Sequence, residues 1–247
     1  MAKFFLGDCR EHLKNITPET IPLVATSPPY NAGKAYETAL SLEEYQRFSL
    51  DWCSAVAQVL APTGAFWLNL GYMKLSDTET LPLTYLYYPI IRGLGLHLIQ
   101  EIVWHYEGGM AYKRRFSHRT ERWQWWVRDP KNFIFDLDAV RDATLNRTKD
   151  NRNNPLGKNP TDYWYFDRVV GGCGASAEKT AHPCQFPVEM VERIVRACSR
   201  PGDVVLDPFG GSGSAALAAV RTGRDFIYME IDPGYHRLAI ERLAGGQ

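Results

Sequence analysis

Two short segments carry residues whose types and order could do chemistry. Ser27-Pro28-Pro29-Tyr30-Asn31 follows directly on an apolar run, Ile21 to Thr26. Consecutive prolines fix φ and remove two N–H donors, so the segment neither extends a sheet nor opens a helix. It reads as a rigid loop offering a hydroxyl, carbonyls without helical partners and an aromatic ring. Those groups suit a planar ligand bearing an NH₂, with hydrogen bonds to the amine and stacking on its face. The plain alternative is a proline turn with Tyr30 packed inward. The second segment is Asp207-Pro208-Phe209-Gly210-Gly211-Ser212-Gly213, entered from the apolar Val204-Val205-Leu206 and followed by small residues. Glycines let a backbone turn tightly and approach a ligand, and a helix N-terminus supplies free N–H groups. Glu230 closes the next apolar run, 20 positions after Gly210, where a ribose-binding carboxylate stands in nucleotide-binding α/β folds. Gly211 to Ala216 also reads G-x-G-x-x-A, so a nicotinamide-dependent oxidoreductase stays open at this point, as does a purely structural turn.

The elements that must position these residues alternate short β-branched runs with helix-period stretches, the pattern of an α/β sheet. Strands are expected at Ile21–Thr26, Ala65–Leu70, Gln100–Trp104, Trp123–Val127, Val204–Leu206 and Phe226–Met229. Several are continuously apolar, as in strands covered on both faces. Ser41-Leu42-Glu43-Glu44 forms a capping box opening a helix that Pro62-Thr63-Gly64 would end. A second amphipathic helix is expected over Val188–Cys198. The chain has 247 residues, 45% hydrophobic and 23% charged, which suits one domain with a real core and excludes a disordered tail or a disulfide-stapled miniprotein. Its five cysteines (Cys9, Cys53, Cys173, Cys184, Cys198) are odd in number and lack C-x-x-C spacing, as in a reducing compartment. Cys173, His182 and Cys184 lack a fourth ligand at zinc spacing, so no metal is expected. The start turns acidic at Asp8, so no signal peptide is expected. No apolar run reaches membrane-spanning length; Leu81 to Ile91 is interrupted by Pro82 and Pro89.

Taken together, the motifs resemble those of the DNA amino-methyltransferases that use S-adenosylmethionine. Thr26 to Tyr30 is similar to that family's catalytic (D/N/S)-P-P-(Y/F/W) motif, and Asp207 to Gly213 to its F-x-G-x-G cofactor motif. Gly7-Asp8-Cys9, Ala65 to Gly71, Lys179 to Pro187 and Met229 to Pro233 also match. The catalytic motif precedes the cofactor motif, the circularly permuted arrangement called the beta class. The resemblance implies a single catalytic domain, 1–247, built on a mainly parallel seven-stranded Rossmann-like sheet with helices on both faces, with target-recognition loops embedded at 106–178. It implies that Ser27, Pro28, Pro29 and Tyr30 are catalytic, with Tyr30 stacking on a base flipped out of the duplex. It implies that Asp207, Pro208, Phe209, Gly210, Gly211, Ser212 and Gly213 line the methionine side of the cofactor. Glu230, with Ile231 beside it, would hold the ribose, Asp8 and the Cys9 backbone the adenine, and His182, Pro183 and Gln185 the amino-acid end. Ser at the first motif position resembles the N4-cytosine members; N6-adenine is the alternative base. Pro183-Cys184 looks like the nucleophile pair of the cytosine-C5 enzymes, but nothing nearby marks Cys184 as an activated thiolate. A catalytically silent DNA-binding module is the remaining non-enzyme reading.

Charge sharpens the DNA reading. Formal net charge is zero, which argues against a nucleic-acid coat protein. Residues 106–158 nevertheless carry 12 basic against 7 acidic side chains, while 1–105 sum to −3 and 159–247 to −2. Lys113, Arg114, Arg115, His118 and Arg119 are the candidate DNA contacts, suited to phosphates and guanine edges. The polar stretch Asn146 to Asn159 would frame the other side of a groove, whereas Trp123, Trp125 and Trp126 read as a core strand. The expected partner is double-stranded DNA, with a cognate restriction endonuclease and a second copy of the chain as further candidates. The expected setting is the cytoplasm of a prokaryote, or of a host carrying the gene on a phage.

Overall fold

The computed structural model describes residues 2–33, 39–109, 111–145, 154–172 and 175–245. In chain order these form β1 (Ala2–Leu6), α1 (Cys9–Leu13), β2 (Ile21–Thr26), α2 (Leu42–Val59), β3 (Leu60–Leu70), β4 (Tyr72–Lys74), β5 (Thr80–Pro82) and α3 (Leu83–Gly93). There follow β6 (His97–His105), β7 (Thr120–Val127), β8 (Tyr163–Tyr165), α4 (Val188–Cys198), β9 (Val204–Asp207), α5 (Ser214–Arg221), β10 (Asp225–Glu230) and α6 (Pro233–Gly245). The main sheet runs β1-β10-β9-β2-β3-β7-β6-β8. Pairings from β1 to β3 are parallel, β7 runs antiparallel to both β3 and β6, and β8 is parallel to β6. The sheet is therefore mainly parallel, as expected, but has eight strands rather than seven. The extra one is the three-residue edge strand Tyr163-Trp164-Tyr165.

Each face of the sheet carries its own core. One gathers the inward sides of α4 and α5 over Trp67, Trp123, Trp125, Trp164 and Tyr228. Trp67 stacks on Trp125 at 5.2 Å and on Trp164 at 6.0 Å. The other gathers Leu13 of α1, Trp52 and Val56 of α2, and Leu83, Tyr87 and Ile91 of α3 over Val24, Phe66, Leu68, Trp126 and Ile227. Trp123, Trp125 and Trp126 are thus core residues of β7, as their sequence context suggests.

Helix α2 opens on the capping box: Glu44 N–H donates to Ser41 Oγ at 3.2 Å, and Ser41 N–H donates to Glu44 Oε2 at 2.8 Å. It stops at Val59, before Pro62-Thr63-Gly64. Those three residues lie inside β3, at a register shift against β2 between Ile21 and Leu23. The irregular register lets a strand absorb a proline that a regular central strand would reject. The Leu81–Ile91 run ends β5 and then forms most of α3. Pro82 is its N-cap and Pro89 sits within it, Pro82 being tolerated where a helix start has no partner for an N–H anyway. Among the described residues no helix is long and apolar enough to cross a membrane.

This topology puts the chemistry on one edge. In the parallel run the carboxyl ends of β1, β10, β9, β2 and β3 point the same way, delivering Asp8, Glu230, Asp207, Ser27 and Asn69. Because β7 is reversed, its start, Thr120-Glu121, lies at that edge too. So does the loop between His105 and Thr120, which holds the candidate DNA contacts.

Candidate active site

At the end of β2, Ser27 to Tyr30 is pinned from three sides. Tyr45 of α2 donates its hydroxyl to the Pro29 carbonyl at 2.7 Å. Ser27 Oγ lies 3.0 Å from the Tyr30 hydroxyl, which in turn donates to Glu121 Oε2 at 3.2 Å. Asn69, buried on β3, faces both acceptors with its amide. Its Nδ2 donates to the Tyr30 oxygen at 2.8 Å and to Glu121 Oε2 at 2.6 Å, while its Oδ1 accepts from Trp123 Nε1 at 3.3 Å. Since Tyr30 donates its hydroxyl to Glu121, the Ser27 hydroxyl donates to the Tyr30 oxygen and keeps its lone pairs to accept. Burial raises the Glu121 carboxyl to about 7, against the lowering effect of Tyr30, Arg168 and Asn69. Burial, then the Glu121 charge, holds the Tyr30 phenol well above its usual range. Gly71 is required here because a Cβ would stand 2.7 Å from the Tyr30 ring.

The glycine-rich turn lies one strand over. Asp207 is buried and accepts from Thr26 Oγ1 at 2.6 Å and from Phe209 N–H at 3.1 Å. Burial raises its carboxyl to about 7, and the neighbouring Glu230 adds to the rise. Gly210 lies against Tyr228, where a Cβ would be 2.1 Å from the ring. Pro208 and Gly213 are buried, and Phe209 packs edge-on to Trp52 at 5.0 Å. Glu230 accepts from Gly211 N–H and Asp232 N–H, both at 2.9 Å. Gly213 precedes α5 in a left-handed conformation (φ +77°), and no side chain caps the helix. No side chain satisfies its first-turn N–H groups, the arrangement that suits a negatively charged group.

The other expected residues ring this turn. His182 lies edge-on to Tyr235 at 4.5 Å, and burial, with Lys179 nearby, lowers its imidazole to about 4. Gln185 is buried and braces its own loop, accepting from Thr180 N–H and donating to the Glu178 carbonyl. Pro183 and Ile231 are exposed. Asp8 caps α1 and is engaged by Arg10, through the guanidinium at 2.6 Å and the backbone at 2.9 Å, which lowers its carboxyl. Burial pushes the Cys9 thiol up to about 12, leaving its backbone as the usable part. Cys184 is exposed, and Cys173 lies outside the described residues, as do 146–153 of the second polar loop. Among the described residues no His/Cys/Asp/Glu cluster could hold a metal.

A family model described as DNA methylase, for N6/N4 methyltransferases, matches residues 21–241. The chain belongs to this DNA methylase family. Type II methyltransferase M.ScaI of Streptomyces caespitosus is 43% identical over 244 residues, covering 96% of this chain and 79% of its own. The DNA adenine methyltransferase YhdJ of Escherichia coli K12 is 32% identical over 251 residues, covering 96% and 81%. Among solved structures, TTHA0409 of Thermus thermophilus, complexed with S-adenosyl-L-methionine, is 26% identical with a TM-score of 0.71, covering 100% and 94%. The oxidoreductase reading of the glycine turn falls with this match.

Three residues of the candidate site are not singled out by the sequence. Asn69 reads only as part of the Ala65–Gly71 match, and Glu121 only as a counter-charge in a basic segment. Arg242 of α6 is buried. It donates to the Ser212 carbonyl at 3.0 Å and to Glu178 Oε2 at 3.1 Å, tying the glycine turn to the loop before α4. Each sits far in sequence from the motif it supports, so no local spacing flags it.

Proposed function

We propose that this DNA methylase moves a methyl group from S-adenosylmethionine to the N4 amine of a cytosine flipped out of duplex DNA, as the modification partner of a restriction endonuclease. What favours cytosine is Ser27 at the head of Ser27-Pro28-Pro29-Tyr30, the residue by which this motif resembles the N4-cytosine members; as a hydrogen-bond acceptor its hydroxyl, donating to Tyr30, would serve the amine of either base.

The cofactor fits the residues present. The uncapped start of α5 suits its carboxylate, and Glu230 on the rim suits the ribose hydroxyls. When bound, it supplies an electrophilic methyl on a sulfonium. An exocyclic amine is a poor nucleophile because its lone pair is delocalised into the ring. Ser27 Oγ and the Pro28 carbonyl accept its two N–H bonds, drawing the nitrogen toward a tetrahedral form and freeing the lone pair. Tyr30 presents its ring to the base. The rest is positioning of two reactants, with no covalent enzyme intermediate, and the amine proton that methylation displaces would leave to solvent. Residues 106–178 supply target recognition, and the enzyme works in the cytoplasm, where its DNA is.

Nucleoside mass spectrometry of DNA methylated by the purified protein should show N4-methylcytosine. N6-methyladenine without N4-methylcytosine would overturn the assignment in favour of the second reading, which the likeness to the Escherichia coli adenine enzyme supports.

A further inference from the structure

Extruding a base leaves a gap in the duplex stack, and proteins that distort DNA often fill such gaps with an apolar wedge. Phe116 is 98% exposed, ahead of Tyr85 at 74%. A lone exposed apolar side chain needs no explanation, but this one stands in a built setting. Lys113, Arg114 and Arg115 precede it and Arg119 follows. The loop is braced at its base. The His118 ring lies 4.4 Å from Tyr72 and 5.9 Å from Tyr112, and Arg115 covers the Tyr112 ring at 4.2 Å. Tyr112 N–H reaches Ser117 Oγ, and Tyr106 N–H reaches the Arg119 carbonyl. The bracing ends at the active site, since Tyr72 adjoins Gly71, which lies against Tyr30. Tyr112, Arg115, Ser117 and His118 brace the base of the loop, and Phe116 projects from it.

We propose that Phe116 enters the duplex where the target base leaves it, while Lys113, Arg114 and Arg115 hold the flanking phosphates. This rests on the DNA-methylating reading above, whichever base is methylated. Phenylalanine suits the task, because a flat apolar ring replaces the lost stacking and makes no demand on sequence.

The test uses the full chain with Phe116→Ala and Phe116→Trp, and amplified, hence unmethylated, duplex DNA of mixed sequence. With tritiated S-adenosylmethionine and saturating DNA, Phe116→Ala should turn over about tenfold or more slowly and Phe116→Trp near the wild-type rate. A second readout is the linking number of a nicked plasmid religated under equal amounts of bound enzyme with S-adenosylhomocysteine. Wild type and Phe116→Trp should unwind the plasmid, and Phe116→Ala distinctly less. Because Phe116 touches almost nothing in the fold, melting temperatures should coincide. Equal turnover of wild type and Phe116→Ala, or equal unwinding, overturns the wedge. So does dissociation of a wild-type dimer by Phe116→Ala in sedimentation, which would make Phe116 an intersubunit contact. No transfer of label to DNA by the wild type overturns the function itself, a distinct result.

Discussion

The hydroxyl of Ser27 matters through what its neighbours do to it. It donates to Tyr30, Tyr30 donates to Glu121, and the Asn69 amide donates to both. Ser27→Ala should therefore bind S-adenosylmethionine with unchanged affinity in calorimetry and lose turnover by about 10²-fold; loss of cofactor binding would place Ser27 elsewhere. The chain of donors also predicts a pH dependence. Burial raises Glu121 to about 7, so its charged, proton-accepting form appears only as pH climbs through that value. Turnover should rise from pH 6 to 8, and Glu121→Gln should flatten this limb while lowering the plateau. Stability should run the other way. A carboxyl whose folded value is raised contributes stability that is present below its unfolded value and lost as pH rises through about 7. Glu121 and Asp207 both do this. The cofactor-free protein should melt higher at pH 5.5 than at pH 8, and Glu121→Gln and Asp207→Asn should each narrow the gap. An identical gap in all three proteins would remove these carboxyls from the account.

At the level of elements, the ordered contacts are long-range ties between segments that each look unremarked in the chain. Arg242 on α6 holds Ser212 and Glu178 at once. Arg242→Met would leave a partly buried carboxylate and a carbonyl unmet, at about 2 kcal/mol. Differential scanning calorimetry should show a melting temperature lower by about 4–8 °C. Cofactor affinity should fall with it, because the turn that Arg242 fixes is the one that approaches the ligand. Unchanged affinity beside a lowered melting point would confine Arg242 to stability. The same long-range character decides what the sequence could show. The strands covered on both faces announce themselves by unbroken apolar runs, and α2 by its capping box. Edge elements do not: β8 is three residues, Tyr163-Trp164-Tyr165, inside a polar stretch, and α3 hides behind Pro82 and Pro89. Within the site, Ser27 and the glycine turn are legible because their chemistry is local. Asn69, Glu121 and Arg242 are not, because they become site residues only when β3, β7 and α6 are folded against those loops.

Across the whole molecule, a net charge of zero conceals a division of labour. The two acidic, motif-bearing parts of the chain build the sheet edge that carries Ser27, Asp207 and Glu230. The basic segment, 106–158, starts on the same edge because β7 runs opposite to β3. Lys113, Arg114, Arg115 and Arg119 thus lie on the edge that carries the Ser27 loop, an arrangement that suits the proposed one-sided grip on a polyanion. Such a grip is made of phosphate pairings, and each one releases condensed counterions. Binding of mixed-sequence duplex DNA should therefore weaken steeply with salt, with a log–log slope set by the number of phosphates neutralised. Lys113, Arg114 and Arg115 are all exposed at the tip of their loop. Reversing Arg114 and Arg115 to Glu should make that slope shallower by about 2, at roughly 0.9 for each phosphate no longer neutralised. The melting temperature should hold, because neither arginine supports the core. Fluorescence-anisotropy titrations across a roughly fourfold range of salt near the physiological value decide it, as an unchanged slope would move the grip to another face of the protein. A shallower slope with normal transfer at low salt would separate the two duties: charge brings the duplex to the edge, and the Ser27 loop acts on the base that leaves it.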